Sequence, residues 1–119
     1  MRRLTRSMLS DSERDALEDI RDNIARARRF VDGLDLDGFL ADDKTFYAAT
    51  RCLEIMSEAS RRLSPAFKER FPEIPWKQIT GSGSIYRHSY ETVQELRVWK
   101  TVHEALPQLR AVVDGELQA

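Results

Sequence analysis

Apolar residues recur at spacings of three and four along most of this chain, and this period restricts it to helices. The first stripe comprises Leu17, Ile20, Ile24, Ala27 and Val31. The second comprises Phe46, Ala49, Leu53, Met56, Ala59 (or Ser60) and Leu63. Because an α-helix has about 3.6 residues per turn, each stripe lies on one helix face and can be buried. With no convincing period-two alternation and no Asn-Gly hairpin signal, the sequence predicts an all-α up-and-down bundle.

Capping residues and prolines set the expected helix boundaries. Ser10 and Glu13 have the spacing of a capping box, and Gly33 is a natural helix end. Long helices are therefore expected near 10–33, 43–63 and 92–106, the last ending at Pro107 and followed by a final turn or two that holds Leu109, Val112 and Val113. Short accessory helices are expected at 35–42, where one plugs an end of the core, and at 66–71.

Length and charge bound the class of protein. The chain has 119 residues, 41% of them hydrophobic, which suits one domain spanning residues 1–119. Nineteen Lys and Arg against twenty Asp and Glu give a net charge of −1, which excludes a uniformly basic nucleic-acid coat. Any electropositive site must therefore arise by folding or by pairing two chains. No apolar run is long enough for a membrane span, so we expect a soluble, cytoplasmic protein.

Isolated reactive residues favour structural roles. The single cysteine, Cys52, cannot form an internal disulfide and is expected to be buried. No Cys/His cluster is present, so neither a metal site nor a cofactor is expected. His103 is interpreted as a structural or solvated side chain near a helix C-terminus. The basic residues Arg26, Arg28 and Arg29 alternate with acidic residues, which favours a solvated helix face over an RNA-facing patch.

Residues 81–90, Gly-Ser-Gly-Ser-Ile-Tyr-Arg-His-Ser-Tyr, are the densest in reactive side chains. His88 can exchange a proton near neutral pH, Arg87 can hold a phosphate, and Tyr86 and Tyr90 can hydrogen-bond or stack on a base. These are the groups that metal-free cleavage of an RNA phosphodiester needs. Residue types alone favour the alternative, a capped and solvated helix terminus.

Small residues also mark this region as a contact surface. Gly81 and Gly83 each cost about 1 kcal/mol in a helix interior relative to alanine. Three serines accompany them where a monomeric core would use larger apolar side chains. Because small residues let another backbone approach closely, we predict a homodimer whose interface includes residues 76–90.

The sequence as a whole resembles the HepT-like ribonuclease domains of the HEPN superfamily over about residues 17–113. The motifs that carry the resemblance are Arg29-Phe-Val-Asp-Gly-Leu34, Phe39-Leu-Ala-Asp42, Arg51-Cys-Leu-Glu-Ile-Met-Ser-Glu-Ala59, Arg62-Leu-Ser64, Pro72-Glu-Ile-Pro-Trp-Lys-Gln-Ile79, Val98-Trp99 and Leu106-Pro-Gln-Leu109. The Pro-Glu-Ile-Pro-Trp stretch in this context is specific to that family. The resemblance implies an all-helical HEPN-like bundle, a homodimer with the active groove between protomers, and an RNA substrate.

The resemblance also implies a site and a partner. The family motif is Arg-x4-His-x-Tyr, and His88-Ser89-Tyr90 matches its second half. Gly83 occupies the arginine position and Ser84 the next one, so the motif is incomplete here. The implied partner is a small nucleotidyltransferase antitoxin of the MntA type. It neutralises the toxin by adding AMP to a tyrosine, for which Tyr86 and Tyr90 are the candidates.

Two functions stay open at this point. The first is a metal-independent endoribonuclease toxin of a type VII-like toxin–antitoxin system. In it His88 transfers protons, Tyr90 orients the substrate or His88, and Arg87 stabilises phosphate charge. The second is a catalytically degenerate HEPN-fold protein that dimerises and binds a nucleotidyltransferase or RNA without turnover.

Overall fold

The computed structural model describes residues 9–81 and 91–118, and within these ranges it contains helices and no strand. In chain order the helices are α1 (Asp11–Val31), α2 (Leu36–Leu40), α3 (Asp43–Ser60), α4 (Pro65–Glu69), α5 (Trp76–Gly81), α6 (Glu91–Lys100) and α7 (Leu106–Gln118). A π-helical turn, Thr101–Ala105, joins α6 to α7. The predicted all-α class is confirmed. None of the helices described is both long and apolar enough to cross a membrane.

The two predicted apolar stripes form the centre of the core. Every named residue of the first stripe, on α1, is at most 5% exposed. The second stripe, on and just after α3, is buried to the same degree. Helix α1 lies along α3 and α7, and α3 also lies against α5. Since a fully buried large aliphatic side chain contributes about 1.5–3 kcal/mol, this contact supplies much of the folding free energy.

The predicted plug at one end of the core is helix α2. Asp35 caps it by accepting a hydrogen bond from the amide of Gly38 at 2.8 Å. Phe39 is completely buried, and its ring centroid lies 6.3 Å from that of Phe46 and 5.2 Å from that of Trp99. The plug therefore ties the start of α3 to α6 through aromatic packing.

The expected end of the last long helix at Pro107 is wrong, because the helical rod continues to Gln118. Proline has no amide hydrogen, and its ring clashes with the carbonyl four residues earlier in an α-helix. The structure avoids the clash by widening into the π turn, in which the Leu106 amide donates to the Thr101 carbonyl. The proline thus changes the local helix type and does not end the helix.

Arg28 compensates for the hydrogen bond that this proline removes. In the π register the Val102 carbonyl would pair with residue 107, which has no amide hydrogen to give. Arg28 of α1 donates to that carbonyl through Nη1 at 3.5 Å. An exposed arginine on α1 therefore supplies the hydrogen bond that the Val102 carbonyl cannot receive from Pro107.

Glu13 joins the N-termini of two helices. The predicted capping box is present, since Ser10 Oγ accepts from the Glu13 amide at 3.0 Å and Glu13 Oε1 accepts from the Ser10 amide at 3.2 Å. Glu13 Oε2 also accepts from the amide of Ser64, the N-cap of α4, at 3.0 Å. The Ser64 amide lowers the pKa of Glu13, against the opposing effect of partial burial.

We predict that Glu13→Gln removes a pH-dependent part of the stability. A carboxylate whose pKa is lower in the folded state stabilises the fold above its unfolded pKa, usually 4.5, and loses this effect as pH falls through the folded value. At pH 7 the variant should therefore lose about 1 kcal/mol in urea unfolding. Below the folded pKa its deficit should shrink.

The matched control is Glu18→Gln, on the same helix and without a hydrogen-bond partner in the part of the chain described. It should change the free energy of unfolding by less than about 0.5 kcal/mol. A Glu13→Gln deficit that is the same at pH 7 and at pH 3 would contradict the linkage.

We also predict that Arg28 and Pro107 are energetically coupled. Arg28→Ala should cost about 1 kcal/mol, because the buried Val102 carbonyl loses its partner. In a Pro107→Ala background the cost should largely disappear, since a helical amide can then reach that carbonyl. Urea unfolding of the four variants of this double-mutant cycle measures the coupling.

Arg26→Ala is the control for this cycle. Arg26 lies on the same helix and donates at the same 3.5 Å, but to Asn23 within α1. Its cost should be equal in both backgrounds. Equal costs of Arg28→Ala in both backgrounds would show that the arginine does not serve the carbonyl.

Candidate functional site

The side chains predicted to carry chemistry lie outside the residues that the structure describes. They are Gly83, Ser84, Tyr86, Arg87, His88 and Tyr90. Their assigned roles stay predictions. The structure does describe the two ends between which this segment runs, α5 before it and α6 after it, and the surface beside α5.

Four polar residues, here named the Thr80 anchor, hold the end of α5 against α3: Ser57, Ser60, Arg61 and Thr80. The Thr80 carbonyl accepts hydrogen bonds from Ser57 Oγ and, at 3.2 Å, from Arg61 Nη2. The Ser60 and Thr80 hydroxyl oxygens lie 3.2 Å apart. Ser57 and Ser60 are buried, so their hydrogen bonds are partly shielded from competition by water, whereas the Arg61 bond is exposed.

Two further contacts fix α5 on its other sides. Trp76 at its start donates from Nε1 to the carbonyls of Lys68 and Phe71, at 3.1 and 3.0 Å. Gln78 Nε2 donates to Thr101 Oγ1 in the π turn at 3.5 Å. Helix α5 is therefore held by three different elements, and it brings the chain to residue 81 from a defined position.

A groove of about 450 Å³, named here the α3 groove, adjoins the Thr80 anchor. Its lining residues are Asp19, Arg51, Glu54, Ile55, Ser57, Glu58, Arg61 and Arg62. Most come from the outer face of α3, opposite the buried stripe. Ser57 and Arg61 belong to both the groove and the anchor, so the groove borders the point where the chain leaves α5.

Three ion pairs line the α3 groove, and they differ in closeness. Arg62 Nη2 lies 2.7 Å from Asp19 Oδ2, whereas Arg51 Nη1 lies 3.4 Å from Glu54 Oε1. Arg61 Nη1 lies 3.7 Å from Glu58 Oε2. The arginine side chains of the two longer pairs are exposed, and such pairs contribute little stability, so these two arginines can exchange their partners at small cost. The groove can therefore present guanidinium groups to an anion.

The described residues give no sign of a metal centre. No group of three or more His, Cys, Asp or Glu side chains suited to a metal ion occurs within 9–81 and 91–118. Cys52 is a free, buried thiol as predicted, and burial raises the pKa of that thiol. A buried and protonated thiol is a poor nucleophile.

His103 lies in the π turn and not at a helix end as expected. Its exposed ring stacks on Trp99, with centroids 3.9 Å apart, and its Nδ1 lies 2.9 Å from the Trp99 carbonyl. Because a carbonyl only accepts, we assign the hydrogen of a neutral ring to Nδ1. His103 is not among the residues lining the α3 groove. The exposed ring packed on Trp99 agrees with the interpretation of His103 as a structural or solvated side chain.

Sequence reasoning missed the Thr80 anchor. The apolar pattern includes Ser60 only as an alternative member of a stripe, and it gives no role to Ser57 or Thr80. The available signal was the pair of hydroxyls at positions 57 and 60, three residues apart beside a core face. Their partner lies 20 to 23 residues away, which no local pattern reveals.

Comparisons with known proteins identify the chain's relatives. The family model described as "Ribonuclease HepT-like" matches residues 20–115. A probable ribonuclease HepT from Thermococcus cleftensis is 38% identical over 99 residues, 83% of this chain and 90% of that protein. A putative RNase from Methanocaldococcus jannaschii is 34% identical over 98 residues, 82% of this chain and 90% of that protein. No solved structure matches the chain.

Proposed function

Since the chain belongs to the HepT-like ribonuclease family, we propose that it is an endoribonuclease that cleaves RNA without a metal ion. The observation that carries the proposal is the family match over residues 20–115, which includes the segment with the predicted site. Within that segment His88 and Tyr90 occupy the positions of the family's His-x-Tyr. The α3 groove beside the Thr80 anchor supports the proposal with accessible cationic groups.

The proposed reaction is transfer of a phosphodiester to the neighbouring ribose hydroxyl. His88 takes the proton of the 2′-hydroxyl, whose oxygen attacks phosphorus, while the bond from phosphorus to the 5′ oxygen of the next nucleotide breaks and that oxygen takes a proton from water. Arg87 stabilises the charge that develops on the phosphoryl oxygens, and Tyr90 orients the substrate or His88. The products are a 2′,3′-cyclic phosphate and a 5′-hydroxyl.

Gly83 favours a second candidate function. The family arginine is absent at this position, and a single transition-state donor of this kind is worth about 10²–10³ in rate. A member without it that keeps the fold would dimerise and bind RNA or a nucleotidyltransferase without turnover. The two candidates differ in one measurable property, the cleavage of RNA.

The resemblance extends the proposal to the protein's setting. We place the enzyme in a toxin–antitoxin system of the type VII kind, as a homodimer with residues 76–90 at its interface. A nucleotidyltransferase antitoxin would neutralise it by adding AMP to Tyr86 or Tyr90. AMP on a tyrosine two residues from His88 would keep RNA out of the active groove between the protomers. This would explain the inhibitory effect of the modification.

We predict that the wild-type protein cleaves RNA in the presence of EDTA and leaves 2′,3′-cyclic phosphate ends. His88→Ala should reduce the rate at least about 10²-fold, as expected for loss of a general acid–base group. Arg87→Ala should also lower it strongly. Gel analysis of a labelled RNA, with the termini identified by phosphatase sensitivity, measures both properties.

His103→Ala is the matched control, because it removes the other histidine of the chain. Cleavage should persist in this variant. Cleavage by His88→Ala at the wild-type rate would contradict the assignment of the site. A wild-type protein that binds RNA and does not cleave it would favour the non-catalytic candidate.

We further predict that Gly83→Arg raises the cleavage rate, by up to about 10²-fold, because it restores the family's transition-state donor. The control is Gly115→Arg on α7, where an added side chain meets nothing within 4 Å. That variant adds the same charge away from the site and should leave the rate unchanged. Equal effects of the two substitutions would mean that net charge, and not the motif position, determines the rate.

A further inference from the structure

We propose that the α3 groove binds the RNA backbone, with Arg51 and Arg61 each contacting a phosphate. The inference rests on the proposed function and extends it, since it assigns substrate contacts outside the motif segment. Its basis is the combination of accessible guanidinium groups, groove dimensions and position beside the Thr80 anchor.

Arg51 and Arg61 of the α3 groove meet their carboxylate partners less closely than Arg62 and Arg70 meet theirs. Arg70 forms a two-pronged pair with Glu116 at 2.9 and 3.0 Å, which joins the C-cap of α4 to α7. Arg51 and Arg61 meet their carboxylates only at 3.4 and 3.7 Å, longer than the usual 2.7–2.9 Å of a charge-assisted bond. A phosphate can therefore take the donors of Arg51 and the Nη1 side of Arg61, while Arg61 Nη2 keeps its hydrogen bond to the Thr80 carbonyl.

The geometry of the groove suits an extended strand. Residues 51 and 61 lie ten positions apart, roughly 15 Å along the axis of α3 at 1.5 Å per residue. The two side chains therefore meet phosphates of different nucleotides. Partly buried Ile55 lies between them in sequence and lines the same groove, where it offers an apolar contact to a sugar or base. The volume of about 450 Å³ accommodates part of a single strand.

The negative charge of Glu58 should weaken RNA binding in the α3 groove, so changing Glu58 tests the proposal. Its side chain is 73% exposed at the groove, where it partners Arg61. A phosphate approaching Arg61 must displace this carboxylate. Removing the negative charge should therefore strengthen RNA binding, which is an outcome that damage to the fold would not produce.

The test measures binding separately from turnover. The probe is a fluorescein-labelled single-stranded RNA with 2′-O-methyl groups throughout, which lacks the hydroxyl that cleavage consumes. Fluorescence anisotropy with the full-length chain should show Kd rising about 5- to 10-fold in Arg51→Ala and falling 2- to 3-fold in Glu58→Gln. The salt dependence should also weaken in Arg51→Ala, by about 0.7 in the slope of log K against log salt per lost phosphate contact.

Arg110→Ala is the matched control. Arg110 forms a similarly loose pair, 3.5 Å from Asp114, on α7 and away from the groove. It should change Kd less than 2-fold. Arg61→Lys complements Arg51→Ala, since it keeps the charge while losing the planar fork, and should weaken binding about 2- to 5-fold. Its thermal midpoint is measured alongside, because Arg61 also donates to the Thr80 carbonyl.

Each of the other outcomes distinguishes the groove assignment from an alternative. Wild-type Kd values for both Arg51→Ala and Arg61→Lys would overturn the groove assignment. Light scattering that shows Arg51→Ala as a monomer where the wild type is a dimer would also overturn it, in favour of contact with a second copy of the chain. Binding with the expected variant pattern but no cleavage of unmodified RNA would refute the proposed catalysis and leave the groove assignment intact.

Discussion

Packing of α1 against α3 is the contact on which the rest of the structure depends. Each helix contributes one largely apolar face, and the two faces bury each other along most of their length. The other helices add to this pair: α7 covers α1, α5 covers α3, and α2 closes one end. Because the inner face of α3 is committed to the core, its outer face is available for charged residues. The α3 groove depends on this separation of buried residues on the inner face of α3 from charged residues on its outer face.

The elements that could be predicted from the sequence are those whose causes are local. An apolar stripe, a capping box and a glycine after a helix all act within a few residues. Both long stripes, the Ser10–Glu13 box and the end of α1 near Gly33, whose φ is +81°, follow from such signals. The effect of Pro107 is not predicted correctly because Arg28, which lies 74 positions before Val102 in the chain, donates to the Val102 carbonyl. The local sequence predicts that proline removes a backbone hydrogen-bond donor. It does not predict that a side chain on another helix supplies a replacement donor.

The candidate site also contains residues that the sequence predicts and residues that it does not. His88 and Tyr90 are recognisable because a family motif fixes their spacing, and their chemistry stays a prediction. The Thr80 anchor has no such signature, because serines and threonines occur throughout any helical sequence. Its importance arises only when Ser57 and Arg61 meet the Thr80 carbonyl across two helices. A contact of this kind converts a common residue into one that determines where the chain enters the motif segment.

The near-zero net charge of the chain can be related to how the α3 groove would bind RNA. On the proposed function, a ribonuclease with a strongly basic surface would bind any nucleic acid through counterion release, whatever its shape. Here the guanidinium groups of the α3 groove lie beside carboxylates, which cancel their long-range attraction. RNA must then come close enough to exchange a carboxylate for a phosphate. Binding is therefore governed by contact geometry, in which the planar fork of arginine matches a phosphate better than it matches a carboxylate held at 3.4 Å or more.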